Sequence, residues 1–341
     1  MTVRARHIFF LSLLIVVACS KKELLPTYDL SGKTMGTTFN VTVVAPPADF
    51  NFETLQTRIN DRLEHIENIA STYRSDSELS RFNTLSSTDW ERVSPEFCGM
   101  IKAANEISFM TQGAFDITVG PLVNLWGFGP ENRQDFEFPS DDAIAAAQAE
   151  VGYEMLETDC DHSVMRKASA SIYVDLSGWA KGHAVDQIAT ILDERQLTNY
   201  LVEIGGELRV RGHNAEQKKF SVAIEKPLSN NEMSYTLIRL SDVSVATSGD
   251  YRNFYEHDGK RYSHSIDPRS GRPVSDELAG VTVVSKSTAY ADAVATAFLV
   301  LGPEDGHALA EKLRIAAYFL IRTENGIEEK STSHFEKLRH L

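Results

Sequence analysis

Apolar residues recur along the chain at spacings that predict several helices and strands. The clearest helix is residues 53–70, whose apolar face is formed by Leu55, Ile59, Leu63, Ile66 and Ile69. Further helices are predicted at 95–111, which ends near Gly113, and at 141–150, 182–194, 289–301 and 303–313. Strands are predicted at 31–46, 171–176, 201–212, 220–225 and 281–285, with a hairpin over 251–266 that turns at Asp258 and Gly259.

The order of these elements indicates the fold class. Helices and strands mix without a regular alternation, which favours an α+β fold over a doubly wound parallel sheet. We expect a mixed sheet core flanked by helices, with a smaller second lobe. The main domain is predicted over 29–330, after a signal peptide at 1–18 and a tether at 19–28, and a loose polar tail is predicted at 331–341.

The first residues are typical of an exported protein. Arg4 and Arg6 precede an apolar run at 8–18, which is shorter than the ~20 residues that a membrane-spanning helix needs. Cys19 directly follows the small residue Ala18, as in bacterial lipoprotein signals, so we expect Cys19 to carry lipid. The alternative is an ordinary secretory signal with an incidental cysteine. With a lipid anchor the protein would be periplasmic, on the inner membrane in our expectation, with the outer membrane as the alternative.

Charge and cysteine content exclude several classes of protein. The 341 residues carry 34 basic and 48 acidic side chains, a net charge of −14 with no basic block, so we expect no nucleic-acid partner. Three cysteines exclude a disulfide scaffold and a four-thiolate zinc site. Cys98 and Cys160 either pair or are small buried hydrophobes. We favour the second, because nothing in the sequence brings them together.

Two segments carry groups suited to a phosphate and a metal. From Asp175 to Lys181 a predicted strand ends at an acid and turns into a helix, where backbone N–H groups and the lysine favour an anion. Asp292 and Thr296 lie four residues apart on a helix and offer hard oxygens suited to Mg²⁺. The plainer alternatives are a capping Asp175 with a solvated Lys181, and an Asp292 stabilised by its own helix dipole.

Two further segments contain candidate residues. His264 precedes a Pro/Gly turn and is a candidate general base, although a structural strand histidine is the alternative. The sequences GAFD at 113–116 and LWGFG at 125–129 combine aromatics with glycines, so a flat ring could approach the backbone closely. Alone, they are equally typical of core residues and turns.

Eight segments, in order, resemble the FAD:protein FMN transferase family, the ApbE-type periplasmic flavin transferases. They are TMGTTFNVTV at 34–43, STYRSDSELSRFN at 71–83, GAFDITVGPLVNLWGFG at 113–129, DLSGWAKGHAVD at 175–186, EIGGELRVRG at 203–212, ATSGDYRNFY at 246–255, HSIDPRSGRPV at 264–274 and ADAVATA at 291–297. The resemblance implies an α+β fold related to tunnelling folds. It also implies Mg²⁺-dependent transfer of the FMN half of FAD to a Thr or Ser hydroxyl of a target flavoprotein, with release of AMP.

The resemblance also implies roles for individual residues. It implies that Asp292, Thr296 and the backbone carbonyl of Gly178 are metal ligands, and that Asp292 is catalytic through the metal. It also implies that His264 matches a histidine that takes the proton from the target hydroxyl. The positions implied to bind FAD are Met35, Tyr73, Ala114, Phe115, Asp116, Asp175, Lys181 and Ile266.

The implied targets are membrane subunits of sodium-translocating redox complexes or extracytoplasmic flavoproteins. Two rival functions are a Mg²⁺-dependent FAD pyrophosphatase that releases FMN and AMP, and a lipid-anchored flavin-binding protein without chemistry. The Asp292 and Thr296 pair disfavours the second rival, because a mere binder needs no metal at the pyrophosphate.

Overall fold

A large antiparallel sheet forms the centre of the computed structural model. The model describes residues 23–129, 138–227, 233–249, 254–257 and 260–339. The strands of the large sheet follow the order β1-β2-β6-β7-β10-β15-β16-β17. They are β1 (Thr27–Thr34), β2 (Thr37–Val44), β6 (Tyr200–Ile204), β7 (Glu207–Arg211), β10 (Val243–Gly249), β15 (Leu278–Ser285), β16 (Ala316–Thr323) and β17 (Gly326–Ser331).

Smaller sheets and helices surround this sheet. The strands outside the large sheet are β3 (Glu91–Arg92), β4 (Leu156–Asp159), β5 (Val164–Lys167), β8 (Phe220–Pro227), β9 (Met233–Leu240), β11 (Phe254–His257), β12 (Lys260–Ser263), β13 (Ile266–Asp267) and β14 (Arg272–Pro273). The helices are α1 (Phe52–Ala70), α2 (Glu78–Thr84), α3 (Pro95–Met110), α4 (Gly120–Leu125), α5 (Asp141–Gln148), α6 (Ala180–Glu194), α7 (Thr288–Lys312) and α8 (Ser333–Arg339). The α+β fold class is therefore confirmed.

Both faces of the large sheet are covered, which explains the long apolar runs in its central strands. Along β16, Ala317 and Phe319 join the core formed with α1, α3, α6 and α7. Tyr318 and Leu320 face the opposite core, under the ribbon of β8 and β9. Side chains alternate between the faces of a strand, so a strand buried on both sides is apolar throughout.

Several predicted elements agree closely with the structure. The predicted helix at 53–70 is α1, and its five predicted apolar positions are all buried. The predicted strand region 201–212 is a hairpin of β6 and β7. Helix α7 contains both helices predicted at 289–301 and 303–313, which meet at Gly302, where φ is +83°. The predicted turn at Asp258 and Gly259 lies outside the described residues, but the flanking strands β11 and β12 do pair.

The strand predicted at 171–176 is wrong. Ile172, Val174 and Leu176 are buried in alternation, as the pattern indicated. The backbone, however, pairs with no strand in the described chain: the side chain of Asn83 accepts from the amide of Val174 and donates to its carbonyl, at 2.8 Å each. An extended buried segment therefore produced the same alternation as a strand.

The loose polar tail predicted at 331–341 is also corrected. Residues 333–339 form α8, whose Phe335 is 1% exposed and stacks on Tyr318 with ring centroids 5.1 Å apart. Leu338 also packs on this core, so two apolar side chains attach a mostly polar helix to the sheet, a contact that the local pattern does not reveal.

Cys98 and Cys160 form a disulfide, so the expectation of two separate buried hydrophobes is wrong. The bond joins α3 to the residue after β4, with Cα atoms 5.6 Å apart across a separation of 62 residues. The third cysteine, Cys19, and the predicted signal peptide lie outside the described residues. Within the part of the chain that the structure describes, no helix has the length and apolar character needed to cross a membrane.

Candidate functional site

Helices α6 and α7 pack against each other closely enough to bring Asp292 to the first turn of α6. The amide of Gly182 donates to Asp292 Oδ2 at 3.1 Å. A Cβ at Gly182 would lie only 2.5 Å from the carbonyl oxygen of Thr288, so glycine is required at this contact. The backbone of one helix thus directs the acidic side chain of the other.

Asp186 fixes the start of α7. Its carboxylate accepts from the backbone amides of Thr288 and Ala289 and from the hydroxyl groups of Ser287 and Thr288. Arg209 donates to the same carboxylate at 3.1 Å. These bonds satisfy amides that a helix leaves unpaired at its N-terminus, and they place an acidic charge where the helix dipole favours it. The position of Asp292 on α7 is thereby set.

Three charged side chains meet beside this helix contact. Lys181 Nζ lies 3.3 Å from Glu207 Oε1 and 3.8 Å from Asp292 Oδ2. Burial raises the pKa of Asp292 above its usual range, and the charge of Lys181 opposes that shift. Burial likewise raises the pKa of Glu207, and the charge of Lys181 again opposes that shift. Burial alone would lower the pKa of Lys181, but Asp292 and Glu207 outweigh it and hold this pKa above its ordinary value.

Thr296 lies one helical turn after Asp292 and close to Gly178. Thr296 Oγ1 donates to the carbonyl oxygen of Asp292 at 3.2 Å and lies 3.0 Å from Ser248 Oγ. A Cβ at Gly178 would lie 3.5 Å from Thr296 Oγ1 and 3.1 Å from the ring of Phe115. Carboxylate, hydroxyl and carbonyl oxygens are the ligands that Mg²⁺ takes in proteins.

These donors fit a small hard cation better than a transition metal. No group of three or more His, Cys, Asp or Glu side chains in the described residues could hold a metal. A cation at Asp292 would therefore depend on the Thr296 hydroxyl, on backbone oxygen and on its substrate. That incomplete set is typical of Mg²⁺, which retains waters and binds substrate phosphates.

Asp116 and Asp175 use carboxylate oxygens to shape loops. Asp116 Oδ1 accepts from the amide and hydroxyl of Thr118, and Oδ2 accepts from the amide of Tyr153 at 2.9 Å. Burial raises the pKa of Asp116, and these hydrogen bonds oppose the shift. Asp175 Oδ1 accepts from the amide and hydroxyl of Ser177, at the turn before α6. Asp175 thus closes a turn with Ser177 but does not cap α6, whose N-cap residue, Trp179, makes no side-chain capping hydrogen bond.

Met35 and Tyr73 lie in loops that Glu67 connects. The amide of Met35 donates to Glu67 Oε1 at 2.8 Å, and Arg74 Nε lies 3.5 Å from Glu67 Oε2. Tyr73 is 74% exposed. An exposed aromatic ring beside a fixed loop is suited to stacking on a flat ligand.

His264 and Ile266 belong to a second group of residues. The ring of His264 lies 6.4 Å from that of Phe128, and Ile266 packs with Trp126. Trp126 Nε1 donates to the carbonyl of Gly271 at 2.8 Å, which connects the predicted LWGFG segment to the loop after His264.

A depression of about 780 Å³ links this loop to the segment that starts at Gly113. Its lining includes Gly113, Asp116, Tyr153, Pro268 and Arg269. Ala114 and Phe115, in the same segment, are buried. Of the predicted site positions, Asp116 lines this depression, whereas Lys181, Asp292 and Thr296 lie at the contact of α6 and α7.

No spacing or motif in the sequence indicated a role for Glu207, Asp186 or Glu67. Glu207 and Asp186 lie inside segments quoted for the family resemblance, but no spacing rule distinguished them from surface acids. A signal for Glu207 does exist: an acid that directly follows Gly205 and Gly206, at the start of a buried strand, is in an unusual place for a charge.

Known proteins match this chain over nearly its full length. The ApbE family model matches residues 35–319. An FAD:protein FMN transferase from Vibrio cholerae is 43% identical over 325 residues, which cover 95% of this chain and 96% of the relative. One from Haemophilus influenzae is 42% identical over 329 residues, with 95% and 94% covered.

Solved structures match as well. The flavin transferase ApbE from Vibrio cholerae has a TM-score of 0.86 at 42% identity, with 92% of this chain and 99% of that chain covered. The flavinyl transferase ApbE of Pseudomonas stutzeri, in its apo form, has a TM-score of 0.86 at 39% identity, with 93% and 98% covered. The chain therefore belongs to the ApbE family. Like these relatives, it is an enzyme of flavin transfer.

Proposed function

We propose that this enzyme transfers the FMN half of FAD to a Thr or Ser hydroxyl of a target flavoprotein, releases AMP and requires Mg²⁺. The observation that carries the proposal is the arrangement of Asp292, Thr296 and Gly178 beside the ammonium of Lys181. It combines hard oxygen ligands with a fixed positive charge at the start of α6. The relatives from Vibrio cholerae and Haemophilus influenzae are FAD:protein FMN transferases, which supports the transfer of FMN from FAD to a protein.

The reaction breaks one phosphorus–oxygen bond and forms another. The target hydroxyl oxygen attacks the phosphorus of the FMN half, the bond to the AMP phosphate breaks, and AMP leaves with the bond's electron pair. Lys181 and the N-terminus of α6 bind the pyrophosphate. Asp292, Thr296 and the Gly178 carbonyl would hold Mg²⁺. When bound, the cation offsets the phosphate charge that would repel the hydroxyl and stabilises the departing AMP.

FAD would lie across the neighbouring groups of residues described above. Phe115 contacts Gly178, and Asp116 lines the depression next to Phe115. Met35 and Tyr73 offer a loop and an exposed ring, and the remaining proposed contacts are Ala114, Asp175 and Ile266. His264 would take the proton of the target hydroxyl, because a Thr hydroxyl near pH 7 is a weak nucleophile without a base or metal.

We also propose a periplasmic location with a lipid on Cys19, on the inner membrane rather than the outer membrane. The disulfide between Cys98 and Cys160 supports an oxidising compartment, because such bonds are rare in the reducing cytosol. In that place the enzyme would act on flavoprotein subunits of membrane redox complexes, including sodium-translocating ones, or on extracytoplasmic flavoproteins.

One assay distinguishes transfer from the rival reactions. The mature enzyme is incubated with FAD and Mg²⁺, with and without a flavin-acceptor domain, and AMP, free FMN and UV-fluorescent protein bands are measured. Transfer predicts AMP and a fluorescent acceptor band in equal amounts. AMP with free FMN and no band would indicate a pyrophosphatase, and FAD binding without AMP would indicate a binding protein.

A further inference from the structure

Glu207 is a buried carboxylate with no role in the proposed reaction. It is 3% exposed, and its Oε2 atom has no hydrogen-bond partner in the described chain. Its other oxygen, Oε1, faces Lys181 at 3.3 Å. Buried ion pairs contribute little net stability, and an unpartnered buried oxygen costs free energy. Stability alone therefore does not account for Glu207.

The turn before Glu207 packs against Thr37 and the stem of Lys181. Gly205 and Gly206 have φ values of +59° and +108°, as a two-residue turn between β6 and β7 requires. A Cβ at Gly205 would lie only 2.9 Å from Thr37 Cγ2, and at 3.4 Å it would be in van der Waals contact with Lys181 Cδ. The turn therefore lies beside the lysine stem, and the carboxylate that follows the turn meets the ammonium.

Lys181 is shared between two carboxylates, and only one of them is proposed to bind metal. Its ammonium lies 3.8 Å from Asp292 Oδ2. A divalent cation on Asp292 would repel an ammonium at such a distance, and without another partner the ammonium would compete for that carboxylate. Glu207 gives Lys181 a second carboxylate, whose Oε1 lies 3.3 Å from the ammonium.

We propose that Glu207 is a positioning residue that retains the Lys181 ammonium and so leaves Asp292 available to a divalent cation. The proposal rests on the proposed function, because it assumes metal binding at Asp292. With Glu207 in place, Lys181 stays beside the phosphate site as a fixed cation. Without it, Lys181 turns to Asp292 as its remaining carboxylate partner.

The test is Glu207→Gln, which preserves shape and removes the charge. Mg²⁺ binding to the mature protein is measured by calorimetry without FAD, and Mn²⁺ binding by electron paramagnetic resonance. We expect affinity to fall about tenfold, a coupling of the size found within one ion-pair network. The matched control is Glu203→Gln in the same hairpin, whose carboxylate bonds Asn40 and the amide of Gly206. This control should leave metal affinity unchanged.

A second pair of variants separates positioning from a general charge effect. In a Lys181→Met background, Glu207→Gln should have little further effect on Mg²⁺ affinity. An undiminished tenfold loss there, or an unchanged affinity in Glu207→Gln alone, would overturn the proposal. If Glu207→Gln fails to fold by circular dichroism, Glu207→Asp replaces it, and this variant should weaken binding because its carboxylate reaches less far. If a folded Glu207→Asp variant binds Mg²⁺ with the affinity of the parent protein, the proposal is overturned. A parent protein that binds no Mg²⁺ either without FAD or with FAD present would contradict the proposed function itself.

Discussion

Asp292 illustrates how this protein supports charge in a buried helix. Its neighbours on α7 are mostly Ala, Val and Phe, yet Gly182 donates to its carboxylate and Lys181 approaches within 3.8 Å. A buried carboxylate must be paired or must hold a metal. Here one amide and one shared ammonium supply only part of that compensation, which is consistent with a cation as a further partner.

Asp292→Ala should lower the transfer rate about a hundredfold or more, because it removes the one charged ligand of the proposed cation. Loss of groups that merely support a metal already costs ~10–100-fold. The measurement is AMP release in saturating FAD, together with Mg²⁺ calorimetry. Asp292→Asn serves as the isosteric control and should be nearly as inactive. Near-normal transfer by Asp292→Ala in Mg²⁺ would show that the metal site lies elsewhere.

His264→Ala should slow turnover ~10²–10⁴-fold, the usual contribution of a positioned base, with little change in FAD affinity. The parent rate should rise with pH as an imidazole loses its proton, because only the neutral ring can accept the hydroxyl proton. The variant should lose that rising limb. Parallel pH profiles, or a loss confined to FAD binding, would leave His264 a structural residue.

At the residue level the sequence predicted types of chemistry better than partnerships. The placement of Asp292 and Thr296 one turn apart follows from helical spacing, and both lie on α7, where the Thr296 hydroxyl donates to the backbone carbonyl of Asp292. The pairing of Lys181 with Glu207 joins residues 26 positions apart through a hairpin turn. The disulfide joins residues 62 positions apart. Neither contact follows from a local pattern, because only the packed fold brings these residues together.

At the level of elements, the site depends on how α6 and α7 meet. Gly182 sets the distance between the helices, and Asp186 ties the start of α7 to α6 and to Arg209. Helical periodicity predicted both helices. The contact between them could not be predicted in the same way. It depends on an acid of one helix that caps the other, and spacing within a single helix does not indicate such a bond.

Asp186→Ala should destabilise the fold by ~0.5–2 kcal/mol, the usual range for loss of a helix cap, because the amides at the start of α7 lose their acceptor. Thermal unfolding of the mature protein measures the change. Asp61→Ala, at an exposed position on α1, is the matched control and should unfold at the parental temperature. An unchanged midpoint for Asp186→Ala would mean that water replaces the cap without cost.

Loss of the disulfide should also lower stability. The double variant Cys98→Ala with Cys160→Ala should lose ~2–5 kcal/mol, because a cross-link over 62 residues restricts the unfolded chain. Denaturant unfolding under oxidising and reducing conditions measures this. Reduction should destabilise the parent and leave the double variant unaffected. Equal stability of the parent in both conditions would contradict a structural role for the bond.

The elements that the sequence mispredicted have physical explanations. The segment 171–176 alternates like a strand because three of its side chains are buried, but Asn83 supplies hydrogen bonds that a neighbouring strand would otherwise make. Most side chains of α8 are polar, so its sequence resembled a loose tail, although the buried side chain of Phe335 attaches the helix to the sheet. The pattern of apolar residues indicates which side chains are buried. It indicates only in part the backbone hydrogen bonding that defines a helix or a strand.

For the whole molecule, fold class and family followed from the order of segments, whereas the anchor remains a prediction. Cys19→Ala should yield a protein that stays unprocessed or becomes soluble, since no thiol is available for lipid. Membrane fractionation and metabolic labelling with a fatty acid measure this. Cys19→Ser is the matched control for side-chain size and should behave the same way. Normal membrane fractionation of both variants would contradict a lipid anchor.

The central claim is that FAD cleavage and flavin attachment are one reaction. The most direct measurement is the ratio of AMP released to flavin bound on an acceptor domain during a reaction with Mg²⁺. Intact-mass spectrometry of the acceptor measures the bound flavin. A ratio of one throughout the time course, with a mass increase of FMN less one water on the acceptor, is the predicted result. AMP that accumulates while the acceptor mass stays unchanged would contradict the transfer reaction.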